Sequence, residues 1–559
     1  MLRLKPAASL AALMVLALLL AGCFGGFVGV TPGTSRTSPD DSQPAAFPGD
    51  GLRDEDLATH VPGEILVGVE SEEVAERIAA KLDAKLTGYL PQIGLAKLEL
   101  NDKSRSLTDA MRSLRNEPGV RYAQANFIDY VLPVRNNVEV DDKPVALDFE
   151  SAAGPDRFDF IDDPESDYHK YQYGLKRIRA DAAWQAGLTG EGTILAVIDT
   201  GVQSDHPFLA DKVLQGYNPD APAEGTEDWN GHGTHVAAIA AGLIHAGRGF
   251  TGIAPDAQIL PIRVFNDDGA TNWAVAFALI IAADPSWVGL PTRTVDVANM
   301  SLGGAVYSLA VQDAINFALD RGVVVVASMG NTENQAVRYP AAYQGVIAVG
   351  ASDEHDDKTD FSTTGRHISV MAPGQFVFSA YNLNRIAWAS GTSMSAPHVS
   401  GAALLLKQLY PDATPAQIKD LLERTADFKE GYTFNQYGHG RINLANAIAA
   451  DLEGRPLGGI EVYVFGPAGE PIPNAEVTLW RNRGDEPELA AYPIRTGGFG
   501  DTPVPYHGLA FFRGVEPGDY WLTVALDETL HGEQALKKVE ENVTVRANET
   551  TFVRVQFDF

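Results

Sequence analysis

Apolar strands alternate with helical stretches from about residue 168 to residue 450, and this alternation limits the folds open to the chain. Val323-Val-Val-Val326 is apolar at every position. Such strands are typical of a parallel sheet that helices cover on both faces. The pattern predicts an α/β domain with a doubly wound parallel sheet, whose functional residues lie at strand ends and helix starts. The predicted strands are 194–198, 258–265, 295–300, 323–327 and 346–349, and the predicted helices are 234–244, 272–283, 310–319 and 393–409.

Three short segments in this region each place a reactive side chain beside small residues. They read Ile-Asp199-Thr-Gly-Val, Asn-Gly-His232-Gly-Thr-His and Gly-Thr-Ser393-Met-Ser-Ala-Pro. A hydroxyl needs a base to become a nucleophile, and an imidazole base needs a carboxylate to fix its tautomer. Ser393 opens a long apolar helix, and the free N–H groups of a helix start favour negative charge. The segments therefore predict that Asp199, His232 and Ser393 form a catalytic triad.

The three segments and their order along the chain resemble the subtilisin-like serine proteases. The resemblance covers about residues 168–450 and implies an endopeptidase that works through an acyl-enzyme, with polypeptides as substrates. It further implies an oxyanion hole formed by the side-chain amide of Asn331 and the backbone N–H of Ser393. It implies no cofactor that catalysis requires.

The same resemblance locates a substrate pocket. The run Ser301-Leu302-Gly303-Gly304 matches the segment that forms one wall of the pocket, and residues 268–271 match the opposite wall. Arg338 falls where the family sets the pocket floor. One hypothesis is that Arg338 narrows the pocket or favours polar or acidic residues before the scissile bond. The alternative is that its side chain extends into solvent.

The sequence predicts no metal site. His235 follows His232 closely, but neither a His-Glu-x-x-His pattern nor a third ligand cluster accompanies the pair, so packing or hydrogen bonding is favoured. The family often has an acidic calcium ligand after a His-Pro pair, whereas Phe208 stands there in this chain. The acidic run 353–357 with Asp360 either binds calcium weakly or is a solvated loop. Calcium is therefore possible but unsupported.

Length and charge restrict the remaining function classes. A chain of 559 residues is too long for one core, and about two to four domains are expected. The formal net charge of −30 argues against nucleic-acid binding, since phosphate would be repelled.

The N-terminus has the features of a bacterial lipoprotein signal peptide, predicted at residues 1–22. A positive start is followed by an apolar stretch that is short for a membrane span, and the segment ends in Leu-Ala-Gly-Cys23. Cys23 is the one cysteine of the chain, which excludes an intramolecular disulfide. We expect Cys23 to be lipidated and to anchor the protein on the extracytoplasmic side of the cell envelope. Residues 23–60 are rich in Gly, Ser, Thr and Pro and are interpreted as a flexible tether.

Residues 61–133 are predicted to form a small ferredoxin-like α+β domain. The pattern indicates strands at 64–69, 95–100 and 120–131 and helices at 72–86 and 107–115. Its position before the α/β domain resembles the subtilase propeptide, which implies a zymogen with an intramolecular inhibitor. Residues 134–167 are acid-rich and are interpreted as an exposed linker with the maturation site, or else as an acidic cover over the protease. Because Cys23 lies on the propeptide side of the expected cut, maturation is predicted to release the protease from the membrane.

The α/β domain is assigned to residues 168–452, and residues 456–559 have short strands broken by Gly and Pro turns, which predicts an all-β sandwich. Two alternatives to a general protease stay open. One is a non-catalytic surface lipoprotein that binds ligands through the β-domain. The other is a protease that processes only itself.

Overall fold

A computed structural model gives the structure of the protein. It describes residues 59–114, 117–131, 139–141, 171–244, 249–266, 269–365, 367–450, 452, 458–465, 475–483, 486–495, 509–515, 517–526, 538–546 and 550–557. The predicted signal peptide, Cys23, nearly all of the predicted tether and most of the predicted linker lie outside the described residues.

Four antiparallel strands and two helices form the N-terminal domain, residues 60–131. The strand order is β2-β3-β1-β4, which is the ferredoxin-like arrangement that was expected. The predicted helix 72–86 was too long, because Asp83 adopts a left-handed conformation (φ 52°) and ends it. The residues that follow form β2, a strand that the sequence pattern did not reveal. The elements are β1 (His60–Val69), α1 (Glu72–Leu82), β2 (Ala84–Leu90), β3 (Leu95–Leu100), α2 (Leu107–Arg112) and β4 (Val120–Val131).

The central region contains the α/β body. The chain reaches it through β5 (Glu139–Asp141), a strand inside the segment that was expected to be an exposed linker. The elements that follow are α3 (Tyr173–Arg177), α4 (Ala180–Gln185), β6 (Ile194–Asp199), α5 (His232–Ala241), β7 (Gln258–Arg263), β8 (Phe265–Asn266), β9 (Gly269–Thr271), α6 (Asn272–Ala283), β10 (Val297–Met300), β11 (Leu302–Gly303), α7 (Leu309–Asp320), β12 (Val324–Ser328), β13 (Ile347–Ser352), β14 (Val370–Pro373), β15 (Val377–Tyr381), β16 (Arg385–Ala389), α8 (Thr392–Leu409), α9 (Pro415–Arg424), α10 (Phe434–Tyr437) and α11 (Leu444–Ala449).

Six of these strands form the predicted parallel sheet, in the order β14-β13-β12-β10-β6-β7. Successive side chains of a strand point to opposite faces. Leu195 and Val197 of β6 belong to one buried apolar cluster, and Ala196 and Ile198 belong to the other. Both faces are therefore covered, α6 and α7 packing on one and α5 and α8 on the other. The strand order reverses at β6, and such a switch point opens a crevice at the carboxyl ends of the strands.

The last residues of β4 leave the N-terminal domain and enter the central region. There Asp129 pairs with Ala270 of β9, and Tyr130 pairs with Gly303 of β11, both antiparallel. The end of β4 thus lies between two strands of the central region. Further along the chain, β5 pairs with β16, next to the start of α8.

The C-terminal residues form two sheets, β20-β17-β23 and β19-β18-β21-β22, whose apolar residues share one cluster. Strand β19 contains two prolines, which weaken the strand signal of its segment in the sequence. The strand lies at the sheet edge, where proline is tolerated. The strands are β17 (Gly458–Phe465), β18 (Glu476–Arg483), β19 (Glu486–Arg495), β20 (Leu509–Val515), β21 (Gly518–Ala525), β22 (Lys538–Val545) and β23 (Thr550–Gln556).

Candidate active site

A buried hydrogen bond joins the predicted acid to the predicted base. Asp199 is the last residue of β6 and His232 is the first residue of α5, whose start had been expected two residues later. Nδ1 of His232 donates to Oδ1 of Asp199 across 2.7 Å, and the two side chains are 5% and 0% exposed. Nε2 of the imidazole has no hydrogen-bond partner among the described residues. The bond therefore keeps a proton on Nδ1 and leaves Nε2 able to accept one.

Two opposing effects set the pKa of His232. Burial lowers the pKa, while the charge of Asp199 and the hydrogen bond from the imidazole to it raise it. Asp228 adds a smaller contribution in the same direction. The net effect raises the pKa of His232 above its usual value of about 6.5.

Close approach between the turn after β6 and the start of α5 depends on Gly233. A Cβ atom at this position would lie 2.1 Å from the carbonyl oxygen of Gly201. Any side chain at residue 233 would push α5 away from β6 and so lengthen the distance between the imidazole and the carboxylate. The glycine beside the histidine is thus required by packing.

Asp228 holds together the loop before α5 and the turn after β6, a role that was not predicted. Its Oδ1 accepts hydrogen bonds from the backbone N–H groups of Asn230 (3.0 Å) and Gly231 (2.8 Å) and from the hydroxyl of Thr200 (2.9 Å). Its Oδ2 accepts from the backbone N–H and the hydroxyl of Thr234, at 2.9 and 2.6 Å. One buried carboxylate therefore fixes both the loop before α5 and the turn after β6. The signal in the sequence was an aspartate shortly before a helix start, the pattern of an Asx turn or helix cap.

Ser393 lies in the first turn of α8 and is fully buried. Its hydroxyl donates to the carbonyl oxygen of Ser301 at 3.3 Å. Pro397 is the sixth residue of this helix. A proline there removes the N–H that would bond the carbonyl of Ser393. The hydroxyl of Ser301 donates to that carbonyl oxygen instead, at 2.8 Å.

Asn331 follows β12 and lies against the start of α8. Its Oδ1 accepts hydrogen bonds from the backbone N–H and the hydroxyl of Thr392, at 2.9 and 3.0 Å. Its Nδ2 lies beside Gly391, where an added Cβ would be 3.2 Å away. The bonds to Thr392 fix the amide plane, so the orientation of Nδ2 is set before any substrate arrives. Nδ2 and the N–H groups of the first turn of α8 together favour an anion at this position.

The two predicted pocket walls both contact β4. Leu302 and Gly303 pair with the end of β4 on one side, and β9, residues 269–271, pairs with it on the other. Residue 268 lies outside the described residues. Arg338 is partly buried, and its Cγ would lie 3.3 Å from a Cβ added at Gly330. Among the described residues, no partner is found for Nε of Arg338.

The comparisons with known proteins match this geometry. The profile of the Subtilase family, Peptidase_S8, matches residues 190–440. Thermitase from Thermoactinomyces vulgaris is 42% identical over 282 residues, 50% of this chain and 95% of that protein. The thermophilic serine proteinase of Bacillus sp. (strain AK1) is 34% identical over 391 residues, 70% of this chain and 88% of that protein. The chain belongs to the subtilase family. It is a serine endopeptidase with polypeptide substrates.

The N-terminal domain of this subtilase is a prodomain. The profile of the fervidolysin N-terminal prodomain matches residues 48–126. The crystal structure of fervidolysin from Fervidobacterium pennivorans, described as a keratinolytic enzyme related to subtilisin, superposes with a TM-score of 0.73 at 26% identity. The match covers 91% of this chain and 79% of that one. The prodomain acts as an intramolecular inhibitor, consistent with the position of β4 between β9 and β11.

Side chains of β4 cap two helices of the subtilase body. Oε1 of Gln124 accepts a hydrogen bond from the backbone N–H of Leu309 at 2.9 Å, at the start of α7. Oδ1 of Asn126 accepts one from the backbone N–H of Trp273 at 3.0 Å, at the start of α6. The first N–H groups of a helix have no partner within the helix. The prodomain therefore supplies partners that the body itself lacks at these two positions.

A buried ion pair adds to this interface. Nη1 of Arg121 lies 2.9 Å from Oδ2 of Asp313, and the side chains are 6% and 2% exposed. The hydroxyl of Tyr122 donates to the same carboxylate oxygen at 3.0 Å. Burial raises the pKa of Asp313 to about 6, against the opposing charge of Arg121. The two charges come from different domains, so the attraction between them is present only when the prodomain is docked.

Subtilases need no cofactor for catalysis, and the described residues of this subtilase contain no cluster of three His, Cys, Asp or Glu side chains that could hold a metal ion. His235 instead donates from Nε2 to the carbonyl oxygen of Ala387 at 3.2 Å. Two carboxylates of the acidic run 353–357 pair with cations: Asp357 with Lys429 at 2.5 Å, and Asp356 with Arg441 at 2.9 Å.

Proposed function

We propose that Ser393 is the nucleophile, His232 the general base and Asp199 the orienting acid of this serine endopeptidase. The observation that carries the proposal is the 2.7 Å hydrogen bond between His232 Nδ1 and Asp199, which leaves Nε2 of the imidazole able to accept a proton. Nε2 takes the proton of the Ser393 hydroxyl as this attacks the peptide carbonyl carbon. No hydrogen bond joins that hydroxyl to Nε2 among the described residues, because the hydroxyl donates to the carbonyl oxygen of Ser301, and it must first rotate toward the imidazole.

The tetrahedral intermediate places negative charge on the former carbonyl oxygen. Nδ2 of Asn331 and the backbone N–H of Ser393 are proposed to bind that oxygen. When the intermediate collapses, the imidazolium of His232 gives its proton to the leaving amine, and the acyl group stays on Ser393. Water then attacks the ester with His232 as base again, which releases the carboxylic acid and restores the hydroxyl.

An active-site label separates this proposal from a purely binding role. A fluorophosphonate should label the wild-type protein and fail to label Ser393→Ala. Casein turnover by the wild-type protein, absent in Ser393→Ala, would show cleavage of other proteins and so exclude a protease that processes only itself. Labelling without casein turnover would support the self-processing alternative instead.

The pocket formed by Ser301, Leu302 and Gly303 is proposed to hold the residue before the scissile bond, with Arg338 at its floor. The partly buried position of Arg338 supports a role in that pocket. Cleavage profiling of a peptide library should show a preference for polar or acidic residues at this position. A strong preference for large aromatic residues would contradict it.

We further propose that Cys23 is lipidated and that the protein is anchored to the extracytoplasmic face of a bacterial envelope until maturation releases the protease. The Leu-Ala-Gly-Cys segment and the order of the domains support this. Among the helices in the described part of the chain, none combines the length and the apolar composition needed to span a bilayer. Mass spectrometry of the N-terminal peptide and fractionation of Cys23→Ala test the anchor. Mature protease that stays wholly in the membrane at high salt would contradict release.

The C-terminal sheets are proposed to pack as a β-sandwich appended to the protease. Apolar side chains from both sheets, such as Val462 and Leu522, share one core, which supports this arrangement. Deletion of residues 456–559 should leave fluorophosphonate labelling intact. If labelling is lost while the truncated chain stays folded, the domain takes part in forming the active site.

A further inference from the structure

The end of β4 lies between the two strands, β9 and β11, that match the walls of the substrate pocket. It is held on both sides by backbone pairing, with Asp129 opposite Ala270 and Tyr130 opposite Gly303. A substrate bound as an added strand gains its affinity from the same backbone groups, while alternate side chains enter pockets. The prodomain therefore shows which side chain each pocket accepts. This reasoning rests on the proposed function, because it assumes that substrate replaces β4 beside Ser393.

Asp129 enters such a pocket, although the pocket offers its carboxylate no cation. The side chain is 6% exposed, whereas the next residue, Tyr130, is 45% exposed. Oδ2 of Asp129 accepts a hydrogen bond from Nδ2 of Asn272 at 3.0 Å. Oδ1 lies so close to Gly304 that an added Cβ there would be 2.2 Å away. None of the ion pairs found among the described residues includes Asp129.

The side-chain amide of Asn272 lines the pocket that holds Asp129, and its oxygen is a hydrogen-bond acceptor without a donor among the described residues. Asn272 is the first residue of α6 and is 1% exposed. Its Nδ2 donates to Asp129, but its Oδ1 is buried and has no hydrogen-bond partner among the described residues. An acceptor of this kind is costly to bury unpaired. A ligand side chain with both a donor and an acceptor would satisfy the whole amide, as one carboxamide pairs with another.

We propose that Asn272 is a specificity-determining residue of this protease, and that its pocket selects a small hydrogen-bonding side chain in the substrate residue that pairs with Ala270. Asparagine fits best, because its carboxamide can donate to Oδ1 and accept from Nδ2 of Asn272. Serine, threonine and a protonated aspartic acid offer the same two functions. An apolar side chain leaves both polar atoms of Asn272 buried without partners.

Cleavage profiling with a mixed peptide library tests the assignment, using the full-length protein after self-processing. At one position on the N-terminal side of the scissile bond, other than the position next to it, Asn, Ser and Thr should exceed Leu and Phe by about tenfold. Asn272→Leu should reverse the preference at that position alone. A wild-type profile with apolar preference at every such position, or an unchanged profile in Asn272→Leu, would overturn the proposal.

Asn272→Asp is the matched variant of equal size, and a carboxylate is favourable at a helix start, so α6 should still form. Its pocket offers acceptors only, so peptides with Asp at the selected position should be cleaved about tenfold less well than in the wild type, relative to the Ser peptides. Equal ratios in the two proteins would also overturn the proposal. Wild-type protein that neither cleaves the library nor takes the fluorophosphonate label would overturn the proposed function, and this inference with it.

Discussion

Ser301 and Ser393 are joined by two reciprocal hydrogen bonds. The hydroxyl of Ser301 donates to the carbonyl oxygen of Ser393 at 2.8 Å, and the hydroxyl of Ser393 donates to the carbonyl oxygen of Ser301 at 3.3 Å. The first bond replaces the helical bond that Pro397 cannot make. A pocket-wall residue thus holds the first turn of α8 in place.

The first prediction concerns Ser301→Ala. The variant leaves a buried carbonyl oxygen without a partner, so the free energy of unfolding should fall by about 1–3 kcal/mol. The value of kcat should fall more than KM rises, since the nucleophile shifts. Urea unfolding and steady-state kinetics measure both. Ser395→Ala is the control, because the hydroxyl of Ser395 is buried without a hydrogen-bond partner among the described residues. Equal losses in the two variants would contradict the role of Ser301.

The second prediction concerns the pH dependence of catalysis. Burial lowers the pKa of His232, but Asp199 outweighs this effect, so the pKa lies above about 6.5. Only the neutral imidazole can take the proton of Ser393, so kcat/KM should fall as the pH drops through that raised pKa. In Asp199→Asn the midpoint should move down and kcat should fall by about 10⁴-fold, because the imidazole loses its correct tautomer. A pH–rate profile measures both effects, and an unchanged midpoint would argue against Asp199 as the partner.

The third prediction concerns Asn331. Asn331→Leu removes the proposed oxyanion donor at similar size, and kcat should fall by about 10²–10³-fold with little change in KM, the loss reported for one such donor in subtilisin itself. Thr392→Val removes the hydroxyl bond to Asn331 and the bond that the hydroxyl accepts from the backbone N–H of Gly330, but it keeps the backbone bond to Asn331, so it should cost kcat much less. Similar kinetics for both variants would show that Asn331 does not bind the oxyanion.

The fourth prediction concerns prodomain release. Burial raises the pKa of Asp129 to about 7, against a smaller opposing effect of the hydrogen bond from Asn272. In a released prodomain the pKa should return to about 3.9. Asp129 therefore binds a proton more strongly in the docked form than in the released prodomain. Its contribution to docking is complete below about pH 4 and is lost as the pH rises through about 7.

Inhibition of the mature protease by the cleaved prodomain should accordingly weaken as the pH rises from 5 to 8. In Asp129→Asn this weakening should be smaller, because the contribution of Asp129 is gone. The exposed Asp109, which pairs with Arg112 on the prodomain surface, gives the matched control Asp109→Asn. Tighter inhibition at pH 8 than at pH 5 in the wild type would refute the predicted direction of this pH dependence.

The fifth prediction concerns the buried pair Arg121–Asp313. Arg121→Met leaves the carboxylate of Asp313 buried without a cation in the docked state, with only the hydroxyl of Tyr122 donating to it, so prodomain binding should weaken by about 3–5 kcal/mol. The double variant with Asp313→Leu should recover much of that loss, because both charges are gone. The inhibition constants of the wild type, the two single variants and the double variant together form a double-mutant cycle. A double variant as weak as the single one would show that the loss is not electrostatic.

Much of the α/β fold was predictable, because a strand that is apolar on both faces must be covered on both faces, and this is typical of parallel sheets between helices. The helix 272–283 matches α6 to the residue, and β6 differs from the predicted strand by one residue. The differences have local causes. Asp83 ends α1 earlier than predicted, and two prolines weaken the strand signal of β19. The predicted domain boundaries, the anchor at Cys23 and the site roles stay predictions.

The sequence by itself determined the types of residue in the candidate site and the elements that carry them, since helix starts, strand ends and turns depend on neighbours a few positions apart. Only the tertiary structure gave the contacts themselves: the bond between the predicted partners His232 and Asp199, and two pairings that were not predicted, Ser301 with Ser393 and Asn272 with Asp129. These contacts join residues 33, 92 and 143 positions apart. No local pattern specifies them, because each depends on how strands from distant parts of the chain order themselves in a sheet.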